Sequence, residues 1–347
     1  MAARLPIYMA NMRDNPQWLA MFTLGRFLPV RRALRRLAHE SASHDCSHSM
    51  FAGSNMLAAL AALRTEGLFT GLRMPEPVCE DILRFAQSTS CFANLSRRVE
   101  FPPSEYNDAV VRLGSPVLTG HYFDRVEECA AVAAVRGDPL LHAVAAGYLG
   151  RKARVISTRL WWSFPTSDAS DADLNLASQE KLHFDLDDWR ALKFFFYLTP
   201  VDHDGGPHVY VRRTHNRRLA RHQWTLMVGH PNEEVLNAYG SENKTTVLGG
   251  AGHGFAVDPF GFHMGTVVRN SPRLMLEVGF GVSSVLGRRF HGEPAVSLGF
   301  GAVVPAQTPR DTCSSVCARH LGSVLDAGLI SGRHGRQVRL HGDEDTV

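Results

Sequence analysis

The sequence predicts an α+β protein in which helices come first and an antiparallel sheet structure follows. Segments with the 3.6-residue periodicity of helices, among them residues 55–64 and 75–87, dominate the chain up to about residue 150. From about residue 154 the apolar residues alternate instead, and turns rich in Gly and Pro divide the chain into many short strands. Helices that precede a run of short strands are typical of a sheet with helices packed on its outside.

The composition is that of a globular chain and argues against several kinds of partner. The 347 residues are 44% hydrophobic and 20% charged, and a formal net charge of +3 gives no reason to expect a nucleic-acid partner. No apolar run approaches the roughly 20 residues of a transmembrane segment, and the N-terminus lacks a signal-peptide pattern. The six cysteines suggest no disulfide framework. We therefore expect a cytoplasmic protein.

Three segments of the second half have the clearest strand character. Residues 155–164 and 273–280 alternate between two faces, and residues 191–198 form a continuous apolar run. In the segment 273–280, one face is entirely apolar and the other carries Arg273. The aromatic residues 194–196 are expected to be core residues and not substrate contacts.

A His-x-Asp triplet just before the run 191–198 is the main chemical signal. His183 and Asp185 are two residues apart, so on an extended chain their side chains point to the same side and can meet one ion. A metal held there needs a third ligand. The candidates after the triplet are His203, His208, His215, His253 and His263. Of these, His263 is the best placed, because it begins a predicted strand and the next strand carries Arg273.

Two histidines and one carboxylate on one face of a metal leave three coordination positions open, as in non-haem Fe(II) oxygenases. The open positions suit a 2-oxo acid together with dioxygen. Arg273 would then hold the distant carboxylate of that acid by a planar two-point contact that lysine cannot make. A His-x-Asp triplet alone occurs often by chance, but its combination with a later strand histidine and an arginine ten residues further on is more specific.

Longer motifs surround these residues, namely His183-Phe-Asp185, Lys193-Phe-Phe-Phe-Tyr-Leu-Thr-Pro-Val-Asp202, and Gly250-Ala-Gly-His-Gly-Phe-Ala-Val-Asp-Pro-Phe-Gly-Phe-His263 with Arg273 behind it. Together they resemble the phytanoyl-CoA dioxygenase-like family of Fe(II)/2-oxoglutarate-dependent oxygenases. The resemblance covers roughly residues 56–283. The chain departs from the family pattern at Arg212-Arg213, where Pro-Gly is usual, and at His253, where Asp or Thr is commoner, but neither change touches the proposed ligands.

The resemblance implies a double-stranded β-helix, a jelly-roll or cupin-like core at about residues 154–283, with helices packed outside, mainly from the N-terminal half. It implies Fe(II) bound by the catalytic residues His183, Asp185 and His263, with 2-oxoglutarate and O2 as co-substrates. Candidates for binding the co-substrate are Arg273, at its C5 carboxylate, Gln179 and Lys193. The expected reaction is hydroxylation of a small molecule with release of succinate and CO2.

The expected organisation is a helical N-terminal extension at residues 1–55, a dioxygenase domain at 56–288, and a C-terminal extension with a polar tail at 289–347. The basic residues between 212 and 221 could attract an anionic substrate, although a solvated loop explains them equally well. Two alternatives stay open for the function. One is a cupin-type metalloenzyme that does not use 2-oxoglutarate, and the other is a catalytically silent binding or scaffold protein on the same fold.

Overall fold

Two antiparallel sheets are formed by the strands of the described residues. The computed structural model describes residues 13, 16–38, 46–51, 53–166, 174, 180–225 and 227–283. The strands are β1 (Leu68–Arg73), β2 (Cys91–Ala93), β3 (Glu100–Phe101), β4 (Thr119–His121), β5 (Arg154–Ser163), β6 (Ala191–Tyr197), β7 (His208–Val211), β8 (Lys244–Val247), β9 (His253–Val257), β10 (His263–Gly265) and β11 (Arg273–Gly281). Strands β5, β6 and β11 are the three that the sequence pattern predicted most clearly.

The connectivity of these strands is that of a double-stranded β-helix. The larger sheet has the order β1-β9-β6-β11-β5-β4-β2-β3, and the smaller sheet has the order β10-β7-β8. From β6 onwards the chain passes to the small sheet (β7, β8), back to the large sheet (β9), to the small sheet (β10) and again to the large sheet (β11). Such alternation between two facing sheets defines a jelly roll. The predicted fold class is confirmed.

Alternation along the strands divides side chains between the space enclosed by the two sheets and their outer faces. In β6, Phe195 and Tyr197 point into the enclosed space, where they form one apolar cluster with Tyr210 of the small sheet. Phe194 and Phe196 of the same strand point outwards into the main hydrophobic core. The aromatic run therefore packs both faces of the large sheet, and all four side chains are buried.

Strand β11 lies between β5 and β6 and brings the polar faces of neighbouring strands into register. Arg273 lies opposite Ser163, and Glu277 lies opposite Arg159. Met275, between these two β11 residues, belongs to the enclosed apolar cluster. The face of β11 that carries Arg273 therefore lines the enclosed space, opposite to the apolar face that the alternation predicted.

Helices cover the outer faces of both sheets. Their bounds are α1 (Pro16–Leu24), α2 (Leu28–Leu37), α3 (Met56–Thr65), α4 (Glu76–Ser88), α5 (Tyr106–Leu113), α6 (Ala130–Arg136), α7 (Pro139–Leu149), α8 (Ala220–Gln223) and α9 (Asn232–Tyr239). Helices α3, α4, α6 and α7 pack in the main core with the outer face of the large sheet. Helix α1, the start of α2 and α9 pack with the outer face of the small sheet.

Local sequence explains where several helices begin. The side chain of Asn55 accepts a hydrogen bond from the free N–H of Ala58 at the start of α3, and Asp138 does the same for the first turn of α7. Pro29 lies in the first turn of α2, where its missing N–H costs no hydrogen bond. These boundaries therefore depend on side chains that the sequence shows directly.

All described residues belong to one compact unit. Helices α1 and α2 fall within the expected extension 1–55 and contribute Trp18, Phe22 and Leu28 to the apolar cluster on the small sheet. The expected extension 289–347 lies outside the described residues, so the division into domains stays a prediction. Within the described ranges, none of the helices is both long and apolar enough to cross a lipid bilayer.

Candidate metal centre

His183 and His263 lie directly opposite each other on neighbouring antiparallel segments. The N–H of His183 donates to the carbonyl of His263 at 2.9 Å, and the N–H of His263 donates back to the carbonyl of His183 at 2.8 Å. Directly opposed residues of an antiparallel pair place their side chains on the same face. The two imidazole rings accordingly have their centroids 4.5 Å apart.

The carboxylate of Asp185 completes this group. Its backbone N–H donates to the carbonyl of Pro259 at 2.8 Å, which fixes the chain two residues beyond His183. Asp185 Oδ1 lies 3.8 Å from His183 Nε2, and Asp185 Oδ2 lies 3.6 Å from His263 Nε2. One potential ligand atom from each residue lies within 4.8 Å of the other two. The three predicted ligands therefore converge on one point.

Backbone carbonyls set the tautomers of both histidines. His183 Nδ1 lies 2.9 Å from the carbonyl of Lys181, and His263 Nδ1 lies 2.9 Å from the carbonyl of Gly261. A carbonyl can only accept, so each Nδ1 carries the proton and each Nε2 presents a lone pair to the group. Burial lowers the pKa of His183 to about 4, so this ring is neutral at pH 7.

Lys193 lies beside the carboxylate and neutralises the acidic residues around it. Its Nζ atom is 2.7 Å from Asp185 Oδ2, 2.8 Å from Asp187 Oδ2 and 3.9 Å from Glu277 Oε2. Burial alone would raise the pKa of Asp185, but Lys193 above all, with the two histidines, holds it well below its usual range. Lys193 therefore keeps the carboxylate ionised, and a contact between Lys193 and a co-substrate stays a prediction.

Arg273 is a buried cation without a carboxylate partner in the described part of the chain. It is 4% exposed, and burial lowers its pKa. Nη2 donates to Ser163 Oγ at 2.9 Å and Nη1 donates to the carbonyl of Gly206, while Nε has no hydrogen-bond partner. A guanidinium group has more N–H donors than these two bonds use. Arg273 thus retains both its charge and free donors for an anionic ligand.

His208 connects the histidine pair with Arg273 in space. Its ring stacks on the ring of His263 with a centroid distance of 5.5 Å and is enclosed by Phe195 and Phe255. Burial holds the pKa of His208 well below its usual range, and the charges of His263 and Arg273 lower it further. His208 was a candidate third ligand in the sequence, and its buried Nε2 atom has no hydrogen-bond partner.

The donor set fits a divalent first-row metal such as Fe(II). Two imidazole nitrogens and one carboxylate approach from one side and leave the remaining positions to other ligands. Each donor is also held from behind, the histidines by carbonyls and Asp185 by an ammonium group. The side chains of His183, Asp185 and His263 are 17%, 23% and 7% exposed, so the group is reached from the side of Asp185.

Other residues that the sequence raised have different surroundings. Gln179 lies outside the described residues, so its expected role is untested. The carboxylate of Asp258, in the motif that ends at His263, accepts hydrogen bonds from Tyr148 at 2.7 Å and from the N–H of Phe260 at 2.9 Å. Both metal-site histidines bond to carbonyls, so Asp258 supports the fold around them.

The basic run 212–221 is largely engaged within the protein. Arg213 forms an ion pair with Glu66 at 3.0 Å. Arg218 is 4% exposed, and its guanidinium lies 3.9 Å from the ring centre of Phe184 and 4.0 Å from that of Phe260. These arginines stabilise the fold, and an anionic substrate for the run stays a prediction.

Sequence reasoning missed a second group of potential metal ligands. His222, His230 and Glu234 also place one ligand atom each within 4.8 Å of the other two. The available signal was the spacing of four residues between His230 and Glu234, which places both on one side of a helix start. Helix α9 was not among the helices that the sequence pattern predicted.

Comparisons with known proteins give a distant likeness of fold. No protein-family model matches the sequence, and no curated protein matches it. The structure is similar to the α-ketoglutarate-dependent epimerase SnoN from nogalamycin biosynthesis, with 13% identity and a TM-score of 0.41 over 65% of this chain and 81% of that chain. It is similar to HygX from Streptomyces hygroscopicus with nickel, 2-oxoglutarate and hygromycin B bound, with 13% identity and a TM-score of 0.44 over 65% and 86%. It is also similar to the carbocyclase SnoK from nogalamycin biosynthesis, with 15% identity and a TM-score of 0.42 over 67% and 86%. These values are too low to carry an inference about activity.

Proposed function

We propose that this chain is a non-haem Fe(II)- and 2-oxoglutarate-dependent dioxygenase that hydroxylates a small molecule. The observation that carries the proposal is a His-Asp-His group and an unpaired buried arginine on the same enclosed face of a double-stranded β-helix. His183, Asp185 and His263 would hold the metal from one side. The partly exposed side at Asp185 would then be open to co-substrate and substrate.

Arg273 would bind the C5 carboxylate of 2-oxoglutarate. A buried cation without a counter-ion is costly, and a dicarboxylic acid entering the enclosed space would provide one. The free N–H donors of Arg273 allow a two-point contact with a carboxylate. His208, whose ring stacks on that of His263, would contact the carbon chain of the acid.

When bound, Fe(II) with 2-oxoglutarate and O2 supplies the oxidation of an unactivated C–H bond, coupled to formation of succinate and CO2. The chain's own residues orient and protect this chemistry. The carbonyls of Lys181 and Gly261 keep both imidazole rings in the ligating tautomer, and Lys193 keeps Asp185 ionised. Aromatic side chains such as Phe195 and Phe255 exclude water from the inner side.

The test is formation of succinate from 2-oxoglutarate across a panel of small molecules, including anionic ones. We expect one substrate class to raise succinate formation well above the background rate and to give a hydroxylated product. Asp185→Ala should abolish both. Asp187→Ala is a matched control, because Asp187 also contacts Lys193 but is not part of the His-Asp-His group.

Following conversion of the panel both with and without 2-oxoglutarate separates the two alternatives. A cupin-type metalloenzyme would bind metal through the three ligands and convert a substrate without 2-oxoglutarate. A scaffold protein would give no turnover with any member of the panel. Succinate formation that is equal in the Asp185→Ala and Asp187→Ala proteins would contradict the proposal.

A further inference from the structure

A second His-His-Glu group lies where α8 and α9 meet. His222 belongs to α8, His230 lies just before α9, and Glu234 lies in its first turn. Glu234 Oε1 is 2.8 Å from His222 Nε2, and Glu234 Oε2 is 3.8 Å from His230 Nδ1. The two imidazole rings have their centroids 4.7 Å apart. Three donors of metal-binding type therefore face one another.

This group lies on the outer side of the small sheet, opposite to the first group. The rings of His222 and His230 contact Phe262 edge-on, at centroid distances of 5.4 Å and 5.6 Å. The N–H of His230 also donates to the carbonyl of Leu182 at 2.8 Å. Phe262 and Met264, the two neighbours of His263, both belong to the cluster on the outer face, so the side chain of His263 points to the opposite face. The two groups are thus separate sites on two sides of one sheet.

The donors of the second group suit a bound metal, which would share Glu234 Oε1 with the guanidinium of Arg221 at 3.8 Å. The hydroxyl of Tyr239 lies 2.6 Å from His222 Nδ1, which leaves Nε2 directed at Glu234. His230 is 6% exposed, its Nδ1 atom faces Glu234, and its buried Nε2 atom has no hydrogen-bond partner in the described ranges. The Glu234 side chain is 40% exposed, so solvent can supply a fourth ligand.

We propose that His222, His230 and Glu234 form a second divalent-metal site, of the zinc type. Two imidazole nitrogens and one carboxylate oxygen, with water in the fourth position, are a ligand set that Zn²⁺ accepts in tetrahedral geometry. The metal fastens α8 and α9 to the outer side of the small sheet and gives the buried imidazole of His230 a partner. This site is independent of the function proposed for the first group.

The test is a zinc titration against a chromophoric chelator in a full-length chain that carries His183→Ala and Asp185→Ala, so that the first group cannot contribute. This chain should retain one zinc equivalent. Adding Glu234→Gln or His230→Gln removes one of the three ligands and should weaken zinc binding by roughly 100-fold or more. This loss is larger than the loss expected when only a hydrogen bond to a ligand is removed. Adding Glu233→Gln, the same change at the exposed neighbouring position on α9, should leave the affinity unchanged.

Tyr239→Phe gives a graded result, because it keeps all three ligands and removes the hydrogen bond to His222 together with the one that the hydroxyl accepts from the N–H of Leu219. It should weaken zinc binding about 10- to 100-fold. Equal zinc affinities in the Glu234→Gln, His230→Gln and Glu233→Gln chains would overturn the proposal. Crystals of the unmodified protein soaked in zinc provide a test that does not depend on the folding of any variant. An anomalous peak bounded by the three side chains is expected, and its absence would also overturn the site.

Discussion

Replacing Arg273 by alanine should strongly weaken binding of 2-oxoglutarate. The side chain is 4% exposed and has no carboxylate partner among the described residues, so the co-substrate would be its counter-ion in a site shielded from water. Truncating one partner of a buried, hydrogen-bonded charge pair costs about 2–5 kcal/mol. That cost corresponds to roughly a 30-fold to 4,000-fold increase in Kd. The ligand-free protein should lose little stability, because removal of an unpaired buried cation relieves a desolvation cost.

Calorimetric titration of 2-oxoglutarate into the Fe(II)-loaded protein without oxygen measures this change. Arg273→Lys should bind with intermediate affinity, because an ammonium group cannot make the two-point contact. Arg269→Ala is the matched control. The Arg269 side chain is 69% exposed, and its ion pair with Asp204 is 3.9 Å long. We therefore expect the Arg269→Ala protein to bind 2-oxoglutarate with an unchanged Kd, and its free energy of unfolding to change by about 0.5 kcal/mol at most. An Arg273→Ala protein that binds 2-oxoglutarate as tightly as the unmodified protein would refute the assignment.

Lys193→Met removes the ammonium group beside the carboxylate of Asp185 and should weaken Fe(II) binding about 10- to 100-fold in a metal-competition titration. Lys244→Met, the same change at an exposed position on β8, should leave Fe(II) binding unchanged. Asp258→Asn should lower the free energy of unfolding in urea by about 3 kcal/mol at pH 7, because it breaks a buried charge network. Burial alone would raise the pKa of Asp258, but Arg31 and the hydrogen bonds of the carboxylate lower it. The stabilisation by the ionised Asp258 is therefore complete above about pH 4 and disappears as the pH falls through the lower pKa of the folded state. A difference in the free energy of unfolding between the two proteins that is as large at about pH 2 as at pH 7 would contradict this prediction. Phe196→Ala should cost about 3–5 kcal/mol in the same unfolding assay, because this ring is fully buried on the outer side of the large sheet, and the Kd for 2-oxoglutarate should not change.

Strand alternation carried the predictions that the structure supports best. The pattern around Arg273 is local, because neighbouring side chains on a strand must face opposite sides. It correctly separated the apolar face of β11, which packs in the main core, from the face that carries Arg273. The His-x-Asp spacing and the strand position of His263 likewise depend only on nearby residues, and the structure brings these three side chains together.

The features that the sequence did not predict depend on contacts between residues that are distant in the chain. Lys193 contacts Asp185 because β6 passes behind the triplet segment, and no local pattern predicts that approach. Arg218 belongs to the basic run for which the sequence left an anionic substrate or a solvated loop open, but aromatic rings from distant parts of the chain enclose it. His222 and His230 were not recognised as a pair, because they converge only after α8 and α9 fold against Phe262.

The most direct test of the central assignment is visible absorption during an anaerobic titration with Fe(II) and 2-oxoglutarate. Chelation of a 2-oxo acid to Fe(II) gives a weak visible charge-transfer band. We expect the band in the unmodified protein and expect it to vanish in His183→Ala and Asp185→Ala proteins that remain folded. Absence of the band from the unmodified protein, or an equal band in the variants, would contradict the assignment of these residues as the ligands of a 2-oxoglutarate-binding iron.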